Sequence, residues 1–477
     1  MTELKKAGIR EQVNTFLSSP NYIFCILALA VLGNILSLEL PVYILYTLLL
    51  VYICIWGEDL RGLLPIIPAC YITPAVSSNP GRNETGAFSG ASGICILICG
   101  IVIALALLSY IIRHRKALFD TKRQLLTGML VLAGAYLLGG IGSDANLKQN
   151  LPFALAQGVT LILPYFLFTG GIRWNQLRKD YIPWTFFCTG GALVAEILWI
   201  YLSGNVIIDG VINRDFIYTG WGIHNNIGFL LAMMIPSAFC LAANYRRGWI
   251  GTVVGSIFLI FVFLTCSRSS ILGGCLVYGL CVIFMLHFAK NRRHNTIALV
   301  SVLSAAALII FLFHDDLYHL FSGLLQIGMD PSNRDWIYAE GIRLFAEKPI
   351  LGNSFFSPGF QPWDWATLDS FSQLFPPRWH NTIVQLLASC GIAGLICYGF
   401  HRFQTIRLFF SITRKETHFY GCSVLALLFC SLFDCHFFNI APVLLYSIVL
   451  AATECNPPIA TEKERVQGRH AIVIKWF

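Results

Sequence analysis

The chain has 477 residues, of which 56% are hydrophobic and only 12% are charged, and its mean hydropathy is +0.67. A water-soluble domain with this composition would have to expose large apolar surfaces, so the composition excludes an ordinary soluble protein. The formal net charge of +8 is distributed over short loops between apolar runs, which argues against a nucleic-acid partner. We therefore predict an integral membrane protein.

Fourteen apolar runs follow one another along the chain. Most are about 17–25 residues long, as an α-helix needs to cross a bilayer, and none alternates like a barrel strand. We expect an all-α polytopic protein with about 12–14 transmembrane helices, forming a single membrane domain over residues 1–477. The runs are Tyr22–Ser37, Leu40–Trp56, Leu63–Ser77, Gly93–Ile112, Gln124–Gly140, Leu151–Thr169, Ile182–Leu202, Gly222–Ala243, Gly248–Leu264, Ile271–Phe288, Thr296–Phe313, Thr382–Phe400, Phe419–Leu432 and Ile440–Ala452.

The basic residues predict the orientation in the membrane. With the N-terminus in the cytoplasm, most of the 33 lysines and arginines fall on the cytoplasmic side, including Arg402 in the predicted loop after Phe400. By the positive-inside rule, we expect a cytoplasmic membrane protein with both termini cytoplasmic and residues 314–379 outside. The basic residues left outside are Arg82, Lys148, Arg214, Arg268, Arg334, Arg343, Lys348 and Arg378.

Residues 314–379 form the long extracytoplasmic loop in this prediction. Within it, residues 333–348 have the apolar periodicity of an amphipathic helix, which Pro349 would end. Tryptophans and phenylalanines alternate with prolines over residues 352–379. We expect this aromatic part to lie at the level of the lipid headgroups.

Two arginines on the outer side are candidate anion ligands. Arg268 lies between two predicted spanning helices, with no acidic residue near it in sequence. A guanidinium at such a position is costly unless it is paired or hydrated, and it suits a phosphate-type anion. The alternative is an arginine that only sets topology. Arg334 begins the predicted loop helix, where backbone N–H groups also attract anions; alternatively, it pairs with Asp330 or Asp335.

Candidate proton-transfer residues lie at the outer ends of other predicted helices. His380, followed by Asn381, stands where the long loop meets the next spanning helix, and an imidazole there can act as a general base. A histidine at a helix end can equally be a capping residue. His224 either lines the same cavity or caps its own helix. Asp434, which shares the last outer turn with His436, either orients a histidine or simply ends a helix.

Five short motifs in the second half of the chain resemble those of the O-antigen ligase and polymerase superfamily. They occur in the order that the family shows, and the arginine and histidine motifs lie on the predicted outer side. The motifs are Thr265–Arg268, Asn333–Trp336, Lys348–Gly352, His380–Gln385 and Gly391–Gly394.

The resemblance implies a GT-C-like membrane glycosyltransferase that needs no metal or other cofactor. It implies a glycan donor on undecaprenyl pyrophosphate at the outer face of the cytoplasmic membrane, with Arg268 and Arg334 holding the pyrophosphate and His380 acting as base. Asp434 matches an acidic position of the family. Attack opposite the leaving group would invert the anomeric centre. The acceptor, whether a glycan, a lipid or the wall, stays open, as does the choice between polymerase and ligase.

The alternative function is transport of a small anion such as bicarbonate. Transporters usually show internal repeats and charged residues at mid-membrane on several helices. In this sequence, Glu196 is nearly the only charge within a predicted spanning run, where we expect it to be paired or to face a cavity. A lipid flippase would need a polar path across the bilayer, which the sequence lacks. The pattern favours an enzyme.

Overall fold

The structure is a computed structural model that describes residues 2–74, 90–119, 123–141, 147–203, 206–220, 222–326, 334–356, 378–412 and 414–455. This part of the chain is almost entirely helical, which confirms the predicted all-α class. The helices are α1 (Thr2–Leu17), α2 (Pro20–Ile35), α3 (Glu39–Trp56), α4 (Leu63–Ile72), α5 (Gly90–Leu118), α6 (Leu126–Leu138), α7 (Leu147–Gly171), α8 (Tyr181–Ser203), α9 (His224–Asn244), α10 (Trp249–Leu264), α11 (Arg268–Phe288), α12 (Arg292–Leu312), α13 (His314–Leu320), α14 (Ser322–Gln326), α15 (Arg334–Glu347), α16 (Thr382–Ser411), α17 (Lys415–Cys430) and α18 (Ile440–Cys455).

Many of the helices have the length and composition of membrane spans. Within the described ranges, eight are long and apolar enough to cross a bilayer, or nine if the bent α1 and α2 pair forms one span. The eight are α3, α5, α7, α8, α9, α11, α12 and α16. The protein is therefore a multi-pass membrane protein. Helices α4, α6, α10 and α18 are apolar but shorter, so the number of 12–14 spans stays a prediction.

Helix α9 lies at the centre of the bundle. It packs against α8, α10, α11 and α17, and 94% of its apolar 18-residue stretch is buried. A helix that is apolar on every side must be surrounded by other helices. Small residues allow the close approach: a Cβ at Gly228 would lie 2.8 Å from the Ser270 side chain of α11. This packing fixes the first residue of α9, His224, at one end of the bundle.

Two short β-hairpins connect α8 to α9. The first pairs β1 (Ile207–Ile208) with β2 (Val211–Ile212), and the second pairs β3 (Tyr218–Thr219) with β4 (Gly222–Ile223). The first turn has positive φ at both central residues, 51° at Asp209 and 78° at Gly210, as a tight two-residue hairpin requires. The hairpins lie at the same end of the bundle as His224.

Helix α16 is broken at Gly391, where φ is 64° and ψ is −162°. A Cβ at this position would lie 2.4 Å from the carbonyl oxygen of Ile350. Glycine is required here by both the left-handed backbone and the close contact. The motif Lys348–Gly352 therefore packs directly against the motif Gly391–Gly394, and the break separates residues 382–390 from the rest of α16.

The prediction that Arg402 lies in a loop is wrong. Helix α16 continues to Ser411, and Arg402 is only 8% exposed. Its guanidinium lies 4.2 Å from the Phe437 ring centre and 4.5 Å from that of Tyr398, and it donates to the Tyr446 hydroxyl at 2.8 Å. Aromatic faces attract a cation, so these rings stabilise the buried guanidinium. The apolar pattern of the sequence did not indicate that Arg402 would be buried.

Glu196 is the buried carboxyl group of α8. Its Oε1 accepts a hydrogen bond of 3.0 Å from the Asn34 amide of α2. The same amide also donates to the carbonyl of Ile72, at 2.8 Å. This polar contact joins α2, α4 and α8.

Most of the predicted aromatic part of the long loop, residues 357–377, lies outside the described residues. The aromatic residues on either side of it are buried. Phe355 packs edge-on against Phe153 and Phe438, with ring centres 5.1 and 5.6 Å apart, and Trp379 is 2% exposed. The described residues that flank this segment are therefore packed inside the protein.

Candidate active site

Helix α15 is held against the start of α16 by a small apolar core. Ile337 and Leu344 of α15 pack with Trp379, Val384 and Ala388. A Cβ at Gly341 would lie 2.5 Å from the Val384 side chain, so the two segments approach closely only because this residue is glycine. This packing positions Arg334 and Tyr338, both on α15, beside the start of α16.

Asn381 joins the start of α16 to the end of α17. Its side-chain oxygen accepts hydrogen bonds from the backbone N–H groups of Ile383 and Val384, at 2.8 and 3.2 Å, as an N-terminal cap does. Its amide nitrogen donates to the carbonyl of Leu432 at 2.8 Å. The sequence motif therefore places a capping asparagine directly after His380, and the structure gives Asn381 a positioning role.

His380 forms an imidazole–carboxylate pair with Asp434. Their Nδ1 and Oδ1 atoms are 3.3 Å apart, although the residues are far apart in sequence. His380 has a left-handed backbone, with φ at 47°, and its carbonyl accepts a hydrogen bond of 3.0 Å from the Tyr338 hydroxyl. A strained non-glycine backbone that neighbouring contacts hold in place is typical of functional sites.

Electrostatics determine the direction of the proton in this pair. Burial raises the pKa of Asp434, but the hydrogen bond with His380 and the charges of His436 and His380 outweigh it, so the pKa lies well below its usual value. Asp434 is therefore a carboxylate near neutral pH and accepts the Nδ1 proton of His380. This arrangement leaves Nε2 of His380 able to take a proton, as in other acid–base pairs.

Arg334 lies beside this pair. Its Nη1 donates to the carbonyl of Phe433, the residue before Asp434, at 2.5 Å. The side chain is thereby fixed at the turn that carries the carboxylate, with further donors of the guanidinium still able to bind an anion.

Arg268 begins α11 at the same end of the bundle. The next residue, Ser269, accepts a hydrogen bond on its carbonyl from the thiol of Cys430, at 3.6 Å. Cys430 ends α17, four residues before Asp434. The start of α11 therefore lies against the end of α17, close in sequence to Asp434. That the Arg268 side chain shares one site with Arg334 and the imidazole–carboxylate pair stays a prediction.

His224 also belongs to this group. It is 7% exposed, and its Nδ1 has no hydrogen-bond partner within the described part of the chain. It lies within electrostatic range of Arg334 and Asp434, as well as Arg214 and Asp215 of the hairpin segment. The structure does not make His224 the cap of α9, because the N-cap residue is Ile223. That His224 faces the shared site stays a prediction.

One residue at the site had no role in the sequence interpretation. Arg378, two residues before His380, acts electrostatically on the fully buried His436. The scarcity of basic residues on the predicted outer side was a signal that applied to Arg378 as well as to Arg268.

Across the described ranges, no group of three or more histidine, cysteine or acidic side chains is arranged to hold a metal ion.

His436 makes stability depend on pH. Its ring stacks on Phe229 with centres 3.8 Å apart. Burial lowers its pKa to about 4, against the attraction of Asp434 and with help from Arg378 and Arg334. The unfolded chain would bind a proton near pH 6.5, so folding stability should fall as the pH drops from 7 towards 4. The expected loss at pH 5 is about 2 kcal/mol.

Substitution of His436 with phenylalanine tests this expectation. The variant keeps a ring on Phe229 but cannot bind a proton, so its thermal midpoint in detergent should drop less between pH 7 and pH 5 than that of the unmodified protein. Equal drops in both proteins would contradict the assignment.

Residues 253–399 match the sequence pattern of the O-antigen ligase family. The match supports the resemblance to the O-antigen ligase and polymerase superfamily over this part of the chain. The matched range contains Arg268, Arg334, His380 and Asn381, whereas His224 and Asp434 lie outside it. Search of the curated proteins gave no match to the chain.

The matched range covers the middle of the second half of the chain. The O-antigen ligase match runs from within α10 to within α16 and includes the helix starts that meet at the site. It indicates a glycosyltransferase-type enzyme in a multi-pass membrane protein. Asp434, in the turn between α17 and α18, and His224, at the start of α9, lie outside the matched range.

Proposed function

We propose that the protein is an inverting glycosyltransferase that takes a glycan from undecaprenyl pyrophosphate and transfers it to a glycan, lipid or wall acceptor. The observation that carries this proposal is the pair of His380 and Asp434 beside Arg334. Together they offer a base and a fixed positive charge at one end of a membrane bundle. These are the two groups that displacement of a pyrophosphate requires.

The reaction proceeds in one displacement. The acceptor hydroxyl oxygen attacks the anomeric carbon, and the bond from that carbon to the pyrophosphate oxygen breaks. The hydroxyl proton passes to Nε2 of His380, and Asp434 stabilises the resulting imidazolium. Arg268 and Arg334 stabilise the charge on the departing undecaprenyl pyrophosphate, which needs no metal ion in this scheme. Because the acceptor hydroxyl attacks the anomeric carbon from the side opposite the leaving pyrophosphate, the anomeric configuration inverts.

The site lies on the outer face of the cytoplasmic membrane in this proposal. The positive-inside rule supports that orientation, because the large basic loops all fall on the opposite side from the long loop. Both termini are then cytoplasmic.

In vitro transfer tests the proposal. Detergent-purified protein is incubated with an undecaprenyl pyrophosphate-linked glycan and acceptor in the presence of EDTA. We expect a glycosylated acceptor and an equal amount of released undecaprenyl pyrophosphate. Absence of transfer, or transfer only after a divalent metal is added, would contradict the proposal. Uptake of bicarbonate into proteoliposomes without any glycan would favour the transporter instead.

A further inference from the structure

A cavity of about 310 Å³ lies next to the candidate active site. Its walls come from the end of α4, the first half of α7, the start of α9 and the start of α18, with Arg378 at one side. The volume is at the lower end of the range for small-molecule sites, about 300–1,000 Å³. The cavity is thus large enough for a small ring compound.

The lining combines aromatic rings with hydrogen-bonding groups. The rings are those of Phe153, Phe229 and Phe438, and the polar groups include Arg378 and Asn226. Aromatic faces with a few placed polar groups suit a sugar ring, which has apolar C–H faces and hydroxyl edges. A polyprenyl tail would remove these polar groups from water without giving them partners, which is costly.

One polar side chain of the cavity lining, that of Gln157, is held in place by a hydrogen bond. Gln157, on α7, is 8% exposed, and its amide nitrogen donates to the carbonyl of Phe438 at 3.2 Å. The bond uses one of the two N–H donors and leaves the amide oxygen as an acceptor. A held amide reduces the entropy lost when a ligand hydroxyl binds.

Two residues of the lining, Phe229 and Arg378, connect the cavity to the region of the proposed catalytic groups. Phe229 stacks on His436, which lies two residues after Asp434. Arg378, which lines the cavity, precedes His380 by two residues. The cavity is thus connected to the region of the imidazole–carboxylate pair through Phe229 and Arg378.

We infer that this cavity is a sugar subsite that holds one sugar unit of the lipid-linked glycan, with Arg378, Asn226 and Gln157 binding its hydroxyl groups. The inference rests on the proposed function. It assigns the aromatic rings to the faces of the sugar, and it makes the cavity a determinant of glycan affinity.

Filling the cavity tests the inference. Ala156→Trp places a large ring in the lining. Leu155→Trp adds the same ring one position earlier on α7, where Leu155 does not line the cavity and is 46% exposed. The probes are the lipid-linked glycan extracted from producing cells and bare undecaprenyl pyrophosphate, with binding to detergent-purified protein measured for each. Ala156→Trp should lower the affinity for the glycan-linked carrier at least tenfold and the affinity for the bare carrier less than twofold. Leu155→Trp should change neither by more than twofold.

Arg378→Gln gives a second measurement that does not depend on the tryptophan variant folding. This variant should also lose more affinity for the glycan-linked carrier than for the bare carrier. Equal loss for both probes would assign the cavity to the lipid, and no loss in either variant would leave it without a ligand; both results overturn the inference. Failure of the proposed function is seen separately, as absence of transfer by unmodified protein that still binds the glycan-linked carrier more tightly than the bare one.

Discussion

Replacement of His380 with alanine should lower the rate of glycan transfer by about 10²–10⁴-fold, the usual contribution of a positioned general base. The physical reason is the pair with Asp434, which directs Nε2 of the imidazole towards a reacting proton. The substitution removes a side chain that is partly exposed, so the folded protein should persist. Initial rates of undecaprenyl pyrophosphate release, compared at equal amounts of folded protein, measure the effect.

His319→Ala is the matched control. His319 lies in α13, and its Nε2 is 3.1 Å from the Asp209 carbonyl oxygen of the first hairpin. It contacts none of the proposed catalytic groups in the described structure, so its loss should leave the rate within about twofold of the unmodified protein, as expected for a surface change. A His380→Ala protein that keeps its full rate would remove the base from the mechanism.

Replacement of Arg334 with alanine should reduce kcat/KM by about 10²–10³-fold, as loss of one preorganised charge donor does in other enzymes. The guanidinium is anchored to the Phe433 carbonyl at the turn that carries Asp434, and its remaining donors are directed at a pyrophosphate in our proposal. Lysine at this position should recover only part of the activity, because an ammonium group cannot make the same planar contacts.

Arg343→Ala is the control on the same helix. Arg343 pairs with Glu340 and Glu347 on the exposed face of α15, and such surface pairs contribute little. Its kcat/KM should therefore stay near that of the unmodified protein. Equal losses for Arg334→Ala and Arg343→Ala would indicate general damage to α15 rather than loss of an anion ligand.

The fold class could be predicted because hydrophobicity is a local property. Each apolar run of the sequence overlaps a helix, for example Tyr22–Ser37 with α2 and Ile182–Leu202 with α8. The end of α16 could not be predicted in the same way. Arg402 interrupts the apolar pattern, and only its contacts with Tyr398, Phe437 and Tyr446 explain why the helix continues through it.

The candidate site shows the same division. Arg268, Arg334 and His380 could be proposed from motifs and topology, because charged residues on the outer face are few. The partner of His380 was less accessible: Asp434 is 54 positions away, and its role depends on how α16 and α17 end together. The cavity beside Arg378 depends on four helices at once, so no sequence period indicates it.

The configuration of the new glycosidic bond tests the central claim most directly. NMR of the product from a donor of known anomeric configuration shows whether transfer occurred in one displacement. Our account predicts the opposite configuration in the product. A product with the configuration of the donor would contradict direct attack by an acceptor hydroxyl that His380 deprotonates.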